Sequence, residues 1–572
     1  MTANDEVSEV LLGIADLLDL QGERFKPEAY RRAARSIVGA GEDLRALRRD
    51  GRLSEIPGVG EAIQRKIEEF LDTGRVDYYE RLKQSVPPGV VVLIRMPGVG
   101  PKTAARFQRE LGIDRPEALR SAIDGGRLTG VAGFGPKKIE NLRRAVENAP
   151  SAPAGRFPVR AAWTIARRVV ESLQGAAPVD HVEIAGSLRR RRETVGDLDI
   201  LATSASPRRA IEAFAGLPGV REVVAKGDTK CTVIFDPGIQ IDLRVVGPES
   251  FGAALQYFTG SKDHNVRLRT WARDRGLKIN EYGVYRGEER LAGATEEEVY
   301  RSLGLPWIPP EIRENAGELD AAFRGKLPRL LEAGDLRGEL HQHIADPTDR
   351  SALERWASNA TRRGFQYVGG ILPRGPSGEL AGPQAIDRVR AAWPKGPQGK
   401  GPRLLIGAEV EGPELAKLSE LPEGVDYLVL RAGPGPAEPP ETTREPRGAP
   451  LAWFVGHLPT SKNSPAESAD LAGRWIRYAR STHLALEVTP DGASDGLDSR
   501  AIRLALDAGC SLVVNAGSAS LGDFTDLELA VGLARRGWAG PERVLNASDH
   551  PDPGPGRTPR RSARPRGGPE KA

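Results

Sequence analysis

The stretch GSLRRRRETVGDLDILAT (186–203) constrains the fold more than any other part of the chain. Asp197 and Asp199 stand one residue apart and lead into the apolar run ILAT, which reads as a β-strand. Side chains alternate across a strand, so the two carboxylates fall on the same face, a few ångströms apart. Two hard oxygen donors so placed need a cation to balance them, and they suit Mg²⁺. IQIDLRVV (239–246) extends the logic. Its alternation puts Ile239, Ile241, Leu243 and Val245 on one face and Gln240, Asp242 and Arg244 on the other. As a neighbouring strand of the same sheet it would bring Asp242 to face Asp197 and Asp199. Read alone, it describes an edge strand with a solvated polar face equally well.

The bulk properties exclude several classes. A chain of 572 residues suggests about three or four domains, and 39% hydrophobic residues suffice for ordinary cores. No stretch approaches the apolar length of a membrane span, and MTANDEVSEV lacks the charged-then-apolar pattern of a signal peptide. Cys231 and Cys510 sit singly in separate apolar runs, which argues against a disulfide framework or a zinc cluster. These features predict a soluble cytoplasmic protein with no membrane partner. A net charge of +4 hints only weakly at nucleic acid, so local charge has to decide.

Residues 145–158 are rich in Pro, Ala and Gly and read as a linker, and the composition shifts again over 327–340. The segments 372–403 and 432–450 read as long surface loops, and 551–572 as a disordered basic tail. The expected organisation is a helical region over 1–150, a mixed α/β region over 156–327, a second mixed region over 336–550, and the tail.

The helical region contains a near-repeat: IPGVGEAIQRKIEEF (56–70), PGVGPKTAARFQREL (97–111) and VAGFGPKKIENLRRAV (131–146). Each places a Gly-x-Gly turn before an amphipathic helix that carries Lys or Arg. A single copy would fit a hairpin whose glycines merely permit the turn. Three copies point instead to backbone N–H groups approaching a phosphate at a helix N-terminus. The repeat resembles the helix-hairpin-helix motif, which grips DNA backbones without reading sequence. Gly58, Gly60, Gly98, Gly100 and Lys102 are the expected DNA contacts.

GS…GDLDI, IDLRVV, LQYFTGSKDHNVRLRTWA and LKINEYGVY follow one another in the order found in family X DNA polymerases, which the chain resembles over roughly 1–330. The resemblance implies a multidomain α+β protein: a helix-hairpin-helix N-terminal region, a polymerase beta-like nucleotidyltransferase palm with its thumb/fingers subdomain, and a C-terminal lobe. It implies a DNA polymerase working by two-metal phosphoryl transfer, with two Mg²⁺ ions (or Mn²⁺) on Asp197, Asp199 and Asp242. Gapped or primer-template DNA and dNTPs are the implied partners, short-gap repair the implied task, and a nucleoid-associated monomer the implied form. Ser187, Gly186 and Gly196 match the family's triphosphate contacts, Arg190 its phosphate arginine, and Arg156 a second one. The other arginines of 189–192 would face DNA or solvent. Tyr257 and Phe258, beside Gly260, match the residues beneath the incoming sugar. Asn265 matches a contact to the incoming base and Arg269 one to the template. Lys262 and Gln240 depart from the vertebrate beta-type pattern, which has aspartate and arginine there.

FKPEAYRRAA (25–34) and IPGVGEAIQRKIEEFL (56–71) resemble the small N-terminal domain of polymerase beta, here 1–85. That implies Lys66 as a Schiff-base lysine for an abasic sugar phosphate, with Lys26 and Tyr30 on the 5′-phosphate side. Nothing in the local sequence argues for a depressed Lys66 pKa. GELHQHIADPTDR (338–350) resembles the opening of the polymerase and histidinol phosphatase (PHP) domain, an α/β barrel with up to three metals. His341, His343, Glu409 and His457 match its ligands. The implied later ligands are absent: GGILPRG, VLRAG and the pair Gly517 and Ala519 replace them. The lobe is therefore expected to be a degenerate phosphoesterase. The rival readings are a non-catalytic DNA-end scaffold and a working PHP phosphoesterase or 3′-exonuclease. The complete aspartate set argues against the first and the lost ligands against the second.

Overall fold

The computed structural model describes 156–375, 378–394, 401–415, 423–431, 453–456, 465–490, 496–517 and 520–549, and, nearer the N-terminus, 3–20, 25–38, 44–73, 76–84, 101–114 and 116–128 with scattered single positions. The chain divides into two compact units, Met1–Gly155 and Arg156–Ala572. The proposed linker contains that division. The 432–450 loop and the 551–572 tail lie almost wholly outside the described residues, whereas 372–403 is not all loop: Pro383–Ala392 is a helix that buries Ile386 and Val389.

The first unit is helical among the described residues, and Val7, Leu11, Ile14, Ala33, Ile37, Ile63, Ile67 and Phe107 share one core. The turn before the Glu61–Thr73 helix carries Gly58 at φ +87°, where a side chain would be strained. The Gly60 carbonyl receives the N–H groups of Ile63 and Gln64, which starts the helix.

The second unit opens with a five-stranded sheet. Its strands are β1 (His181–Ile184), β2 (Asp197–Thr203), β3 (Val220–Lys226), β4 (Lys230–Phe235) and β5 (Ile239–Val246), in the spatial order β1-β2-β5-β4-β3. β2 and β5 run parallel at its centre. Burial alternates strictly along β5, with Ile239, Ile241, Leu243 and Val245 packed inward, and pairing with β2 on one side and β4 on the other excludes the edge-strand alternative. The helices Val159–Ala176 and Pro207–Ala215 cover that apolar face. Phe251–Thr259 packs on the other side, against Ala185 and Leu201. A second cluster around Leu268, Val284, Val299, Tyr300 and Leu319 gathers the helices and hairpins of 262–323.

From Gly338 the chain forms seven parallel strands in sequence order: β6 (Gly338–His343), β7 (Tyr367–Ile371), β8 (Arg403–Glu411), β9 (Tyr427–Arg431), β10 (Trp453–Gly456), β11 (Ala485–Val488) and β12 (Leu512–Val514). Leu405, Tyr427, Val429, Phe454, Ala485 and Val513 fill one side, and Val368, Ile406, Leu428, Val455 and Leu486 meet the helices on the other. Among the described residues this is the expected α/β barrel, of seven strands. Side chains join the two outermost strands: the Asn546 amide donates to Gly338 O (2.9 Å) and Val514 O (2.7 Å) and accepts from Val514 N, while Asn515 Oδ1 accepts from Leu340 N.

Candidate active site

The register of the central strands decides the acidic site. Asp199 stands directly opposite Asp242 on the parallel partner, and Asp197 opposite Gln240. All three carboxylates therefore rise from one face of two adjacent strands. Thr232 on β4 donates its hydroxyl to Asp242 Oδ1, and Gln240 Nε2 lies 3.3 Å from Oδ2. Both hold Asp242 in place, a role for Gln240 that the sequence did not suggest. Burial, together with the charges of Asp197 and Asp242, pushes the Asp199 carboxyl up to about 7, and burial and Asp242 raise Asp197. Three crowded hard-oxygen donors that resist ionising together fit divalent cations.

The loop above the acids also follows from the sequence. Gly186 has φ +63°, and a Cβ there would run into the Asp199 carboxylate, so only glycine allows this approach. Ser187 follows in the same short turn, and Gly196 is exposed beside the Arg156 guanidinium. Arg156 is anchored on Thr194 through its hydroxyl (2.8 Å) and carbonyl (2.6 Å), and its charge bears on Asp197.

The arginine run differs from expectation. Arg189 forks onto Glu296 (2.8 and 2.9 Å) and donates to Thr259 Oγ1. Arg191 stacks on Trp163 at 3.7 Å. Arg192 lies 3.6 Å from Glu314. Each of the three is claimed inside the fold, by a buried carboxylate, a ring and a part-buried carboxylate in turn, instead of being left to solvent or DNA. Arg190 is also inside, with Nε 3.0 Å from Glu314 Oε1 and Nη1 on the Thr259 carbonyl. Asn265 is 8% exposed, and its amide is spent on Tyr257 O and Gln256 (2.7 Å each). Tyr257 and Phe258 meet edge to face at 5.1 Å beside Gly260, with Arg244 over the Phe258 ring. Arg269 is exposed on the Lys262–Arg273 helix.

In the first unit, Lys66 Nζ lies 4.8 Å from the Tyr78 ring and 6.0 Å from Tyr30, and donates to Ala62 O. Burial, with help from Arg65 and Arg81, lowers its pKa against the pull of Glu69. Nothing in the local sequence pointed to this, because the depressing environment comes from packing across helices. Tyr30 is buried, and Lys26 is exposed and paired with Glu23 at 3.1 Å. Gly98 and Gly100 and the side chain of Lys102 lie outside the described residues.

In the barrel, His341, His343 and Glu409 bring one ligand atom each to within 4.8 Å of the others. His341 is already committed: Nδ1 lies 2.7 Å from Glu487 and Nε2 3.0 Å from Glu409. Burial opposes a charge on His341, but Glu487 and Glu409 outweigh it and push the imidazole up to about 10. Glu487, inward on β11, was missed in sequence because LALEVTP reads simply as a buried strand. The β10 position facing His341 is Gly456, not histidine, and His457 and Ala519 lie outside the described residues. Gly517 follows β12 at φ +58°.

A sheet presenting three carboxylates from adjacent strands, next to a helical cluster and after hairpin helices, is the architecture of a nucleotidyltransferase of the polymerase beta type. Residues 254–314 match the DNA polymerase beta thumb, 2–76 a helix-hairpin-helix domain, and 90–148 a SAM-like helix-hairpin-helix tandem. The chain is 32% identical to DNA polymerase/3'-5' exonuclease PolX of Bacillus subtilis (strain 168), over 95% of its own length and 97% of that protein. DNA polymerase lambda of Rattus norvegicus is 25% identical over 54% of this chain and 56% of the relative. DNA-directed DNA/RNA polymerase mu of Homo sapiens is 26% identical over 54% and 69%. The chain belongs to the bacterial family X DNA polymerases and is a DNA-directed DNA polymerase.

Proposed function

We propose that the protein fills short gaps in DNA during repair, adding dNTPs to a primer 3′ hydroxyl at Asp197, Asp199 and Asp242, with Mg²⁺ as the working cation and Mn²⁺ as a substitute. The observation that carries this reading is the direct pairing of Asp199 with Asp242 across parallel strands. Divalent cations held by the three carboxylates supply charge neutralisation at the transferring phosphoryl group and ease ionisation of the hydroxyl. The remaining work belongs to the chain. Thr232 and Gln240 keep Asp242 aimed at the primer end. Ser187 and the backbone N–H groups of Gly186 and Gly196 receive the triphosphate, with Arg156 at its outer end and Arg190 at its inner one. Tyr257 and Phe258 form the floor beneath the sugar, and Asn265, once released from Tyr257, meets the base. The hairpins over 1–150 hold the DNA backbone, 156–327 performs the transfer, and 336–550 serves the transfer without hydrolysing phosphoesters itself. Lys66 is a lyase nucleophile for abasic ends.

The test is primer extension on gapped and blunt DNA in Mg²⁺ or Mn²⁺, with Asp242→Ala beside the parent. Activity should favour gaps and fall at least a thousand-fold in the variant, while DNA affinity, held by phosphate contacts elsewhere, stays within about two-fold. Near-parental extension by Asp242→Ala overturns the assignment.

A further inference from the structure

The helix Leu527–Arg536 packs Leu527, Ala530, Val531, Leu533 and Ala534 into the barrel core, yet several of its other residues meet the polymerase. Leu529 is buried in the core of the five-stranded sheet. Gly532 lies against the Arg191 side chain, with no room for a Cβ. Arg535 forks onto Glu311 (2.8 and 3.3 Å), and Trp538 packs on the 262–323 cluster. Arg536 is the last contact. Its Nη1 lies 3.0 Å from Glu314 Oε1 and 2.9 Å from the Arg190 carbonyl, and Nη2 lies 3.8 Å from Glu193.

Glu314 is thus shared. The same Oε1 that accepts from Arg536 accepts from Arg190 Nε at 3.0 Å, and Arg192 approaches Oε2 at 3.6 Å. Arg190 is the phosphate arginine of the proposed site, so a triphosphate must draw it away from this carboxylate. How readily it leaves depends on what else neutralises Glu314. With Arg536 in place, the carboxylate keeps a buried partner when Arg190 turns. Without Arg536, releasing Arg190 strips Glu314 of its closest remaining cation in a partly buried setting, which is costly.

We propose that Arg536 is a positioning residue for nucleotide binding: by sharing Glu314 it frees Arg190 for the triphosphate, so the barrel lobe sets the polymerase's dNTP affinity. The proposal rests on the reading of Arg190 as a phosphate contact, and the experiment separates the two. Steady-state single-nucleotide insertion is measured on the full chain for Arg536→Gln, Arg536→Lys, Glu314→Gln, the Arg536→Gln/Glu314→Gln pair and Arg190→Gln. Arg536→Gln should raise KM for dNTP about five-fold or more with kcat within two-fold, and Arg536→Lys should restore most of it. Glu314→Gln should not raise KM, and in its background Arg536→Gln should lose its effect. A merely structural role would give the same loss in both backgrounds. Equal losses in both, or an unchanged KM in Arg536→Gln, overturn the proposal. If Arg536→Gln does not fold, Arg536→Met takes its place, since a raised KM only when Glu314 is present supports the coupling and an unchanged KM opposes it. If Arg190→Gln leaves KM unaltered, the phosphate-contact reading itself fails.

Discussion

Individual side chains here are tuned by neighbours the sequence places far away. Asp199 has an ordinary carboxyl near 3.8 when free and about 7 in the fold, because burial, Asp197 and Asp242 all oppose its charge. The sign follows: the folded pKa is raised, so protonated Asp199 contributes stability below about pH 4, and this is lost as pH rises through about 7. Asp199→Asn should therefore stabilise the metal-free protein at pH 8 by roughly 2–4 kcal/mol and make no difference near pH 4. Thermal melts in EDTA check this, and saturating Mg²⁺ should abolish or reverse the gain, since cation binding stabilises only the parent site. Equal melting at pH 8 would show that the carboxylates do not strain one another. Lys66 is the opposite case. Its amine is lowered by burial between the Tyr30 and Tyr78 rings, which makes the neutral nucleophile more available. Lys66→Ala should lose borohydride trapping on DNA bearing a 5′ abasic sugar phosphate and keep gap filling. Trapping that survives in the variant would assign the chemistry to another amine.

At the level of elements, the sequence was most readable where a period and a chemical need coincided. DLDILAT and IQIDLRVV announced two strands and one acidic face, and the pairing of Asp199 with Asp242 followed once the strands were neighbours. The resemblance singled out Gly186, but its closeness to Asp199 depends on three-dimensional register. Arg189, Arg191 and Arg192 were misread because charge in a sequence looks solvated until its partners appear, and Glu296 and Glu314 lie more than a hundred residues on. Asn546 was invisible for the same reason. It lies after the last strand, and its fully buried amide joins the edges of β6 and β12 where backbone pairing stops. Asn546→Ala leaves those three backbone groups unpaired and should cost roughly 2–4 kcal/mol. Urea unfolding followed by tryptophan fluorescence measures it. A loss below about 1 kcal/mol would mean the closure is made by packing alone.

On the scale of the whole molecule, the proposed function gives DNA holding to the first unit and transfer to the second, which also contains the barrel lobe. Deleting 1–150 should weaken gapped-DNA binding and flatten its salt dependence, because fewer counterions are released, while synthesis survives at high enzyme concentration. An unchanged salt slope would reduce the Gly-x-Gly turns to structural hinges. The barrel poses the harder question, since the Bacillus relative's name includes a 3′-5′ exonuclease. Hydrolysis of a phosphoester at such a site needs closely spaced cations to form hydroxide and to steady the leaving oxygen. Here both nitrogens of His341 are held by Glu487 and Glu409, and its own charge balances them. Burial would raise the Glu409 carboxyl, but His341, His343 and Arg431 hold it down to about 2. Arg374, in the GGILPRG segment that stands where the resembled domain carries a ligand, clasps Glu414 (2.7 and 2.8 Å) and the Glu409 carbonyl. Among the described residues His341, His343 and Glu409 could together hold a cation, which would have to break the His341 pairs. The intact protein in Mn²⁺ should show no 3′-exonuclease or phosphatase activity above that of a His341→Ala, His343→Ala double variant. Robust hydrolysis by the parent that the double variant loses would restore the barrel as an enzyme, and would mean that metal ions displace the His341 ion pairs on binding.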